Sequence, residues 1–385
     1  MTCARKLTIG IDASNLRLGG GITHLVELLR AAVPESYGVD RVVVWGGQHI
    51  LDELDNQVWL HKSNPSALDK GLLQRIYWQQ YYLSQAARDA GCHILFVPGG
   101  SYIGNFRPVV TMSRNMLPFE WRELKRYGLS LLSIKLLFLH FVQSRSFKKA
   151  DGVIFLTEYA RKAIINVVGL LQAKTVIIPH GLNLRFANYP KIQRAIDTYS
   201  EVNPYRVLYV SRIDQYKHQW VVVEAIELLR REGLPIVLDL VGSAYPPALK
   251  HLNKTIKILT FKHTWVHYYG PIPYNELNSY YEQADLGLFA SSCENMPNIL
   301  LEKMASGLPI VSSNKGPMPE ILGKGGMYFD PEQPADIARA LRKTIDSPQL
   351  RTKLTKISYE LSHKYSWSRC AADTFQFLTA GIIEK

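Results

Sequence analysis

Two carboxylates and two cations carry the chemistry that can be read from this chain. Glu294 and Glu302 are separated by seven residues within the run Ala290–Ser312. That run leaves an apolar strand, Leu286–Phe289, and passes through a loop holding Asn295, Pro297 and Asn298. It then takes helical spacing from Ile299 to Ser306. Glu302 is flanked by Leu300, Leu301, Met304 and Ala305. An ionised carboxylate in so apolar a helix is unfavourable unless hydrogen-bonded or paired, and a pair of ligand hydroxyls, such as those of a ribose, would satisfy it. Asn298, Ile299 and Leu300 open the helix, where N–H groups are available to a diphosphate. The plainer reading makes Glu294 a loop carboxylate and Glu302 a helix-surface charge.

The cations are Arg212 and Lys217, five residues apart in Ser211-Arg212-Ile213-Asp214-Gln215-Tyr216-Lys217. They follow the apolar strand Val207–Val210 at a strand-to-helix turn and can converge on one anion. Arginine supplies a rigid bidentate fork and lysine a point charge. A solvated turn is the alternative. Gly19, Gly20 and Gly21 lie between the first strand and a helix expected from Thr23. Glycines there let backbone approach a phosphate at a helix N-terminus. The spacing is not G-x-G-x-x-G, and no acidic residue closes the next strand, so a flexible turn is an equal reading.

The elements that must position these groups alternate between apolar runs and helical patterns, which predicts parallel α/β layering. Strands are expected near Leu7–Ile11, Val42–Trp45, His93–Val97, Val109–Met112, Val153–Leu156 and Thr175–Ile178. The second half adds Val207–Val210, Val237–Val241, Val266–Tyr269, Leu286–Phe289 and Pro309–Ser312. Helices are expected over Thr23–Val33, Asp69–Ala90, Glu120–Lys148, Glu158–Val168, Trp220–Arg231, Tyr274–Gln283, Ile299–Ser306 and Pro334–Ile345, with further helical patterns to Ile382. At 385 residues the chain is long enough for two domains. The polar stretch Asn188–Pro204 reads as their connection. This gives residues 1–185 and 186–365 as two doubly wound, Rossmann-like domains facing across a cleft, with 366–385 as a C-terminal helix packing back on the first. Open α/β sheets bind ligands at the carboxyl ends of their strands, where Arg212 and Glu294 fall.

With 47% apolar and 20% charged residues the composition is globular. A net charge of +12 favours acidic partners such as nucleotide phosphates or anionic membranes. Cys3, Cys92, Cys293 and Cys370 lack metal or disulfide spacing and read as reduced thiols of a cytosolic chain. No signal peptide is apparent before Leu7, and the apolar stretch Leu129–Val142 is too short to span a bilayer. The histidines show no His-x-x-x-His spacing on a helix, so no metal site is expected.

Together, Ser211-Arg212 with Lys217, the Glu294/Glu302 pair, and Ala305-Ser306-Gly307-Leu308-Pro309-Ile310-Val311 resemble glycosyltransferase family 4. These are retaining, nucleotide-sugar-dependent enzymes of GT-B architecture. Pro179-His180-Gly181-Leu182-Asn183, Asp285-Leu286-Gly287-Leu288 and Tyr328-Phe329-Asp330-Pro331 extend the likeness over nearly the whole chain. The resemblance implies that Arg212 and Lys217 hold the donor diphosphate and that Glu302 binds ribose hydroxyls. Glu294 would lie near the donor sugar, with Ser211 and the N–H groups of Asn298, Ile299 and Leu300 completing the phosphate cradle. Gly20 and Gly21 would approach from the first domain, and Ile272 would line the base. No metal or other cofactor is implied, because leaving-group charge is met by cations and helix N-termini.

Two departures stand out. Ser113-Arg114-Asn115 replaces the His-Asp that many members carry after the strand Val109–Met112. The loop after Glu294 reads Asn-Met-Pro-Asn in place of Gly-Phe-Gly-x. The expected activity is hexosyl transfer from a UDP- or GDP-linked sugar to a saccharide or lipid-linked saccharide. The expected setting is bacterial cell-surface polysaccharide synthesis, such as lipopolysaccharide or O-antigen, at the inner face of the cell membrane. Residues 123–149, basic and apolar, are either a core helix with a solvated end or a peripheral contact with anionic membrane. The competing readings are a nucleotide-sugar epimerase or hydrolase of the same architecture, and a non-enzymatic basic nucleic-acid-binding protein. The first lacks additional catalytic carboxylates in the sequence. The second lacks a concentrated basic face.

Overall fold

The structure is a computed structural model that describes residues 6–17, 19–260 and 265–383; Cys3 lies outside them. The chain forms two compact units. One comprises the chain up to Trp121, Leu129–Gly181 and the segment from Ser366 onward. The other comprises Arg122–Gly128 and Leu182–Tyr365.

The strands of the first unit are β1 (Leu7–Asp12), β2 (Val39–Trp45), β3 (Leu60–Ser63), β4 (Ile94–Val97), β5 (Val109–Met112), β6 (Gly152–Phe155) and β7 (Lys174–Ile177). They form one parallel sheet in the order β3-β2-β1-β4-β5-β6-β7. Every residue of β1, β4, β5 and β6 is buried, as expected of parallel strands covered on both faces. That burial is why they read as continuous apolar runs. The helix after β1 begins at Gly20 and not at Thr23, with Gly19 held at φ 69° as its N-cap. The C-terminal helix Trp367–Ile383 belongs to this unit. A side chain at Gly181 would collide with the backbone of Trp367, so that glycine lets the helix close against the turn after His180.

The second unit contains β8 (Tyr205–Val210), β9 (Ile236–Val241), β10 (Val266–Tyr268), β11 (Leu286–Phe289), β12 (Ile310–Ser313) and β13 (Gly326–Phe329). These form a parallel sheet in the order β10-β9-β8-β11-β12-β13. The order reverses between β8 and β11, which makes their carboxyl ends the topological switch point. Arg212 follows β8 and Glu294 follows β11.

Several expected elements differ. β3 and β13 carry too few buried apolar residues to announce themselves; in β3 only Leu60 is buried. The helix expected over Asp69–Ala90 is two helices, Leu72–Tyr81 and Leu83–Asp89, parted at Tyr82. The one expected over Glu120–Lys148 is also two, Trp121–Lys125 and Leu131–Lys149. Gly128 at φ 57° lies between them, in a left-handed conformation that breaks a helix and suits glycine. A further helix, Pro246–Leu259, was not expected.

Candidate active site

In the second unit, the turn after β8 is built around Asp214. Its Oδ1 accepts from the Gln215 N–H at 2.8 Å, capping the 3-10 turn Gln215–Lys217, and its Oδ2 lies 3.3 Å from Arg212 Nε. The Arg212 side chain is about half exposed, whereas Lys217 is buried. Lys217 Nζ donates to Glu294 Oε1, joining the turn after β8 to the loop after β11. His218, at φ 53°, is the one non-glycine among the described residues in the left-handed region. It starts the next helix, Gln219–Arg231. Burial lowers its pKa to about 4, so the ring is neutral, and Nε2 lies 2.9 Å from Ser292 Oγ.

Ser211 is buried beneath the turn that follows β9. Gly242, at φ 142°, brings its backbone so close to the Ser211 carbonyl that a side chain would collide. Gly242 N–H donates to the Gly270 carbonyl at 2.8 Å, tying the loop that holds Ile272 to its neighbour. Ile272 is half-buried.

Glu302 lies in the helix Asn298–Ala305 and is 4% exposed. Burial raises its pKa, opposed by hydrogen bonds from Tyr274 and Tyr281 and by the charge of Lys303. The Tyr274 hydroxyl donates to Oε1 at 3.1 Å and the Tyr281 hydroxyl to Oε2 at 3.2 Å. The carboxylate inferred to need a hydroxyl pair therefore already has one from the protein. Each oxygen still has capacity for a further donor, and Tyr274 links it to the loop of Ile272. At the helix start, Leu300 N–H turns back to the Pro297 carbonyl at 3.0 Å. The amides preceding the first intrahelical bond are those of Asn298 and Ile299. The Asn298 Oδ1 is buried without a partner.

The structure thus brings Ser211, Arg212, Lys217, Glu294 and Glu302 to the strand ends of one unit, with Asn298 to Leu300 and Ile272 on the adjoining segments. Gly20 and Gly21 stand in the first turn of the other unit's helix. There Arg114 donates to both of their carbonyls, at 3.1 Å to Gly21, so Arg114 caps helix backbone. Among the described residues, no group of three or more His, Cys, Asp or Glu side chains converges as metal ligands would.

No motif in the sequence marks Lys303. It is fully buried between Glu302 and the sheet, its Nζ 3.3 Å from the Val210 carbonyl and 5.2 Å from the centre of the Phe289 ring. Its stem packs on Gly287, where a side chain would crowd it at 3.2 Å. Burial, reinforced by repulsion from Lys217, lowers its pKa to about 7. The signal was present in the sequence: a lysine inside the same apolar helix segment that made Glu302 notable.

Residues 195–361 match the model of the family described as glycosyl transferases group 1. Over that stretch the chain is similar to the group 1 glycosyl transferases. Among curated relatives it is 26% identical over 206 residues to a D-inositol 3-phosphate glycosyltransferase of Paenarthrobacter aurescens, covering 52% of this chain and 50% of that protein. It is 27% identical over 110 residues to O-antigen chain mannosyltransferase B of Escherichia coli, covering 29% of each. The chain spans about half the length, or less, of the curated relatives named here. Among solved structures, a sucrose-phosphate synthase from Thermosynechococcus elongatus superposes with a TM-score of 0.76 at 18% identity, covering 99% of this chain and all of that one. HepE of Anabaena, in complex with UDP, gives 0.67 at 16% identity, covering 98% and 99%. The two parallel sheets, of seven and six strands, are those of the GT-B architecture.

Proposed function

We propose that the protein is a glycosyltransferase that retains anomeric configuration and moves a hexosyl group from a UDP- or GDP-linked donor without a metal. The observation that carries the reading is the turn after β8 at the switch point, which holds half-exposed Arg212 and buried Lys217, the latter donating to Glu294. Arg212 and Lys217 take the donor diphosphate, and Ser211 with the Asn298 and Ile299 amides completes the cradle. Glu302 accepts from the ribose hydroxyls, and the unpartnered Asn298 Oδ1 is an acceptor for a donor hydroxyl. Glu294 neutralises Lys217 in the free protein and faces the sugar once the diphosphate shares that lysine.

In the transfer, the bond from the sugar's anomeric carbon to the diphosphate oxygen breaks as the acceptor hydroxyl oxygen bonds to that carbon on the same face. The acceptor proton passes to the departing phosphate, and the nucleoside diphosphate leaves. The growing charge on that phosphate meets fixed cations, the term that dominates such catalysis.

The acceptor we propose is a saccharide or lipid-linked saccharide of bacterial cell-surface polysaccharide, of the O-antigen or lipopolysaccharide kind, at the cytoplasmic face of the membrane. Leu131, Ile134, Leu137, Phe138 and Phe141 are all exposed on the helix Leu131–Lys149, beside exposed Lys135, Arg145, Lys148 and Lys149. An apolar face bordered by cations fits an anionic bilayer interface. No helix among the described residues is long and apolar enough to cross a membrane.

A ligand that binds only the folded chain raises its apparent stability. UDP, GDP, ADP and dTDP are therefore compared by thermal shift on wild type and Arg212→Ala. One nucleotide should stabilise the wild type, and Arg212→Ala should lose that shift along with roughly 100-fold or more of transfer rate. Full activity in Arg212→Ala would sink the site assignment.

A further inference from the structure

The segment Arg122–Gly128, whose last six residues open the basic stretch 123–149, carries none of the anion-site residues, yet it belongs to the unit that holds them. Tyr127 is buried, and its hydroxyl donates to Asp214 Oδ1 at 2.7 Å. Its ring meets Tyr245 edge-on at 5.7 Å. With Oδ1 taken by Tyr127 and the Gln215 amide, Asp214 is locked with Oδ2 toward Arg212 Nε. Four residues earlier, Glu123 is also buried and accepts from the Ser292 hydroxyl at 2.8 Å. Since Ser292 gives its proton to Glu123, neutral His218 is the donor to Ser292. This chain of hydrogen bonds joins the turn after β8 to the loop that ends at Glu294. Arg126 holds Glu123 at 2.7 Å and Glu332 at 2.8 Å, so the short segment is itself anchored.

We propose that Tyr127 and Glu123 are positioning residues of the anion site: Tyr127 sets the Arg212 guanidinium through Asp214, and Glu123 sets the Lys217–Glu294 pair through Ser292 and His218. Neither touches the ligand. Each acts by holding a loop whose cation or carboxylate does, and a misplaced charged group loses much of its effect. The inference rests on the transferase reading and adds residues that no sequence motif marks.

The test is a double-mutant cycle between Tyr127→Phe and Arg212→Ala in the full chain, read as the Kd of whichever of UDP, GDP, ADP and dTDP the wild type binds most tightly. Tyr127→Phe should raise that Kd three- to tenfold and raise donor KM more than it lowers kcat. In the Arg212→Ala background it should change Kd less than twofold, because the group it orients is gone. An unchanged Kd, or an equal loss in both backgrounds, overturns the inference alone. A wild-type chain that binds none of the four overturns the transferase reading and the inference with it. Should the Tyr127→Phe chain fail to fold, Asp214→Asn gives the second route. It keeps an oxygen for Tyr127 but removes the charge facing Arg212. Its Kd should rise to the same degree, and wild-type affinity there would overturn the inference.

Discussion

Replacing Lys303 with methionine should stabilise the second unit at neutral pH, by an amount that shrinks as the pH rises. Methionine matches the lysine stem in length and carries no charge into a fully buried site. Burial lowers the folded amine to about 7 from the ordinary 10.5, against the attraction of Glu302 and Glu294. Below pH 7 the amine is charged in both states, and folding bears the whole cost of burying it. That cost is on the order of 5 kcal/mol from the displacement of the pKa. Between pH 7 and 10.5 the unfolded chain still binds the proton that the folded chain has released, so wild-type stability climbs with pH at up to about 1.4 kcal/mol per unit. The lost hydrogen bond to the Val210 carbonyl offsets the methionine gain by about 1 kcal/mol. Urea unfolding of both chains at pH 6, 7, 8 and 9 reads the difference directly. The advantage of Lys303→Met should be flat below pH 7 and fall steadily above it. A difference independent of pH, or one that grows with pH, would refute the assignment of a buried titrating amine.

Two further predictions follow from other parts of the molecule. His24 and His180 are fully buried with their Nδ1 atoms 2.8 Å apart, and burial holds both pKa values well below 6.5. The unfolded chain takes up protons that the folded chain refuses. The stability of the first unit should therefore be complete above about pH 6.5 and fall below it, by up to about 1.4 kcal/mol per pH unit for each ring; a urea midpoint constant from pH 7.5 to 5 contradicts this. Replacing Ile134, Phe138 and Phe141 with serine should cut sedimentation with phosphatidylglycerol-containing vesicles at least tenfold and leave nucleotide binding intact, whereas equal sedimentation of both chains rules out this face as the membrane contact.

Much of the fold was legible because parallel strands buried on both faces must be apolar throughout. Val109–Met112 and Leu286–Phe289 were placed to the residue for that reason. Edge strand β3 was not, since two of its four residues face solvent and carry no pattern. Helix breaks at Tyr82 and Gly128 were hidden because helical spacing continues across them. In the site, the Glu294/Glu302 spacing and the Arg212/Lys217 turn could be read because each lies within one strand-loop-helix segment. The Tyr127–Asp214 and Glu123–Ser292 bonds join residues 87 and 169 positions apart, and no local spacing encodes such pairs.

The path of the chain bears on how the protein can be taken apart. It passes between the units at Trp121/Arg122, Gly128/Leu129, Gly181/Leu182 and Tyr365/Ser366, so the second unit is not one continuous stretch. A fragment cut at 182–365 would keep Arg212, Lys217, Glu294 and Glu302 but strip Asp214, Ser292 and Glu332 of their partners on Tyr127, Glu123 and Arg126. Chimaeras that exchange this unit for that of a chain of the same fold must carry residues 122–128 as a separate graft. The exchangeable module is thus defined by what the seven residues hold, and a boundary drawn on the linear chain would miss it.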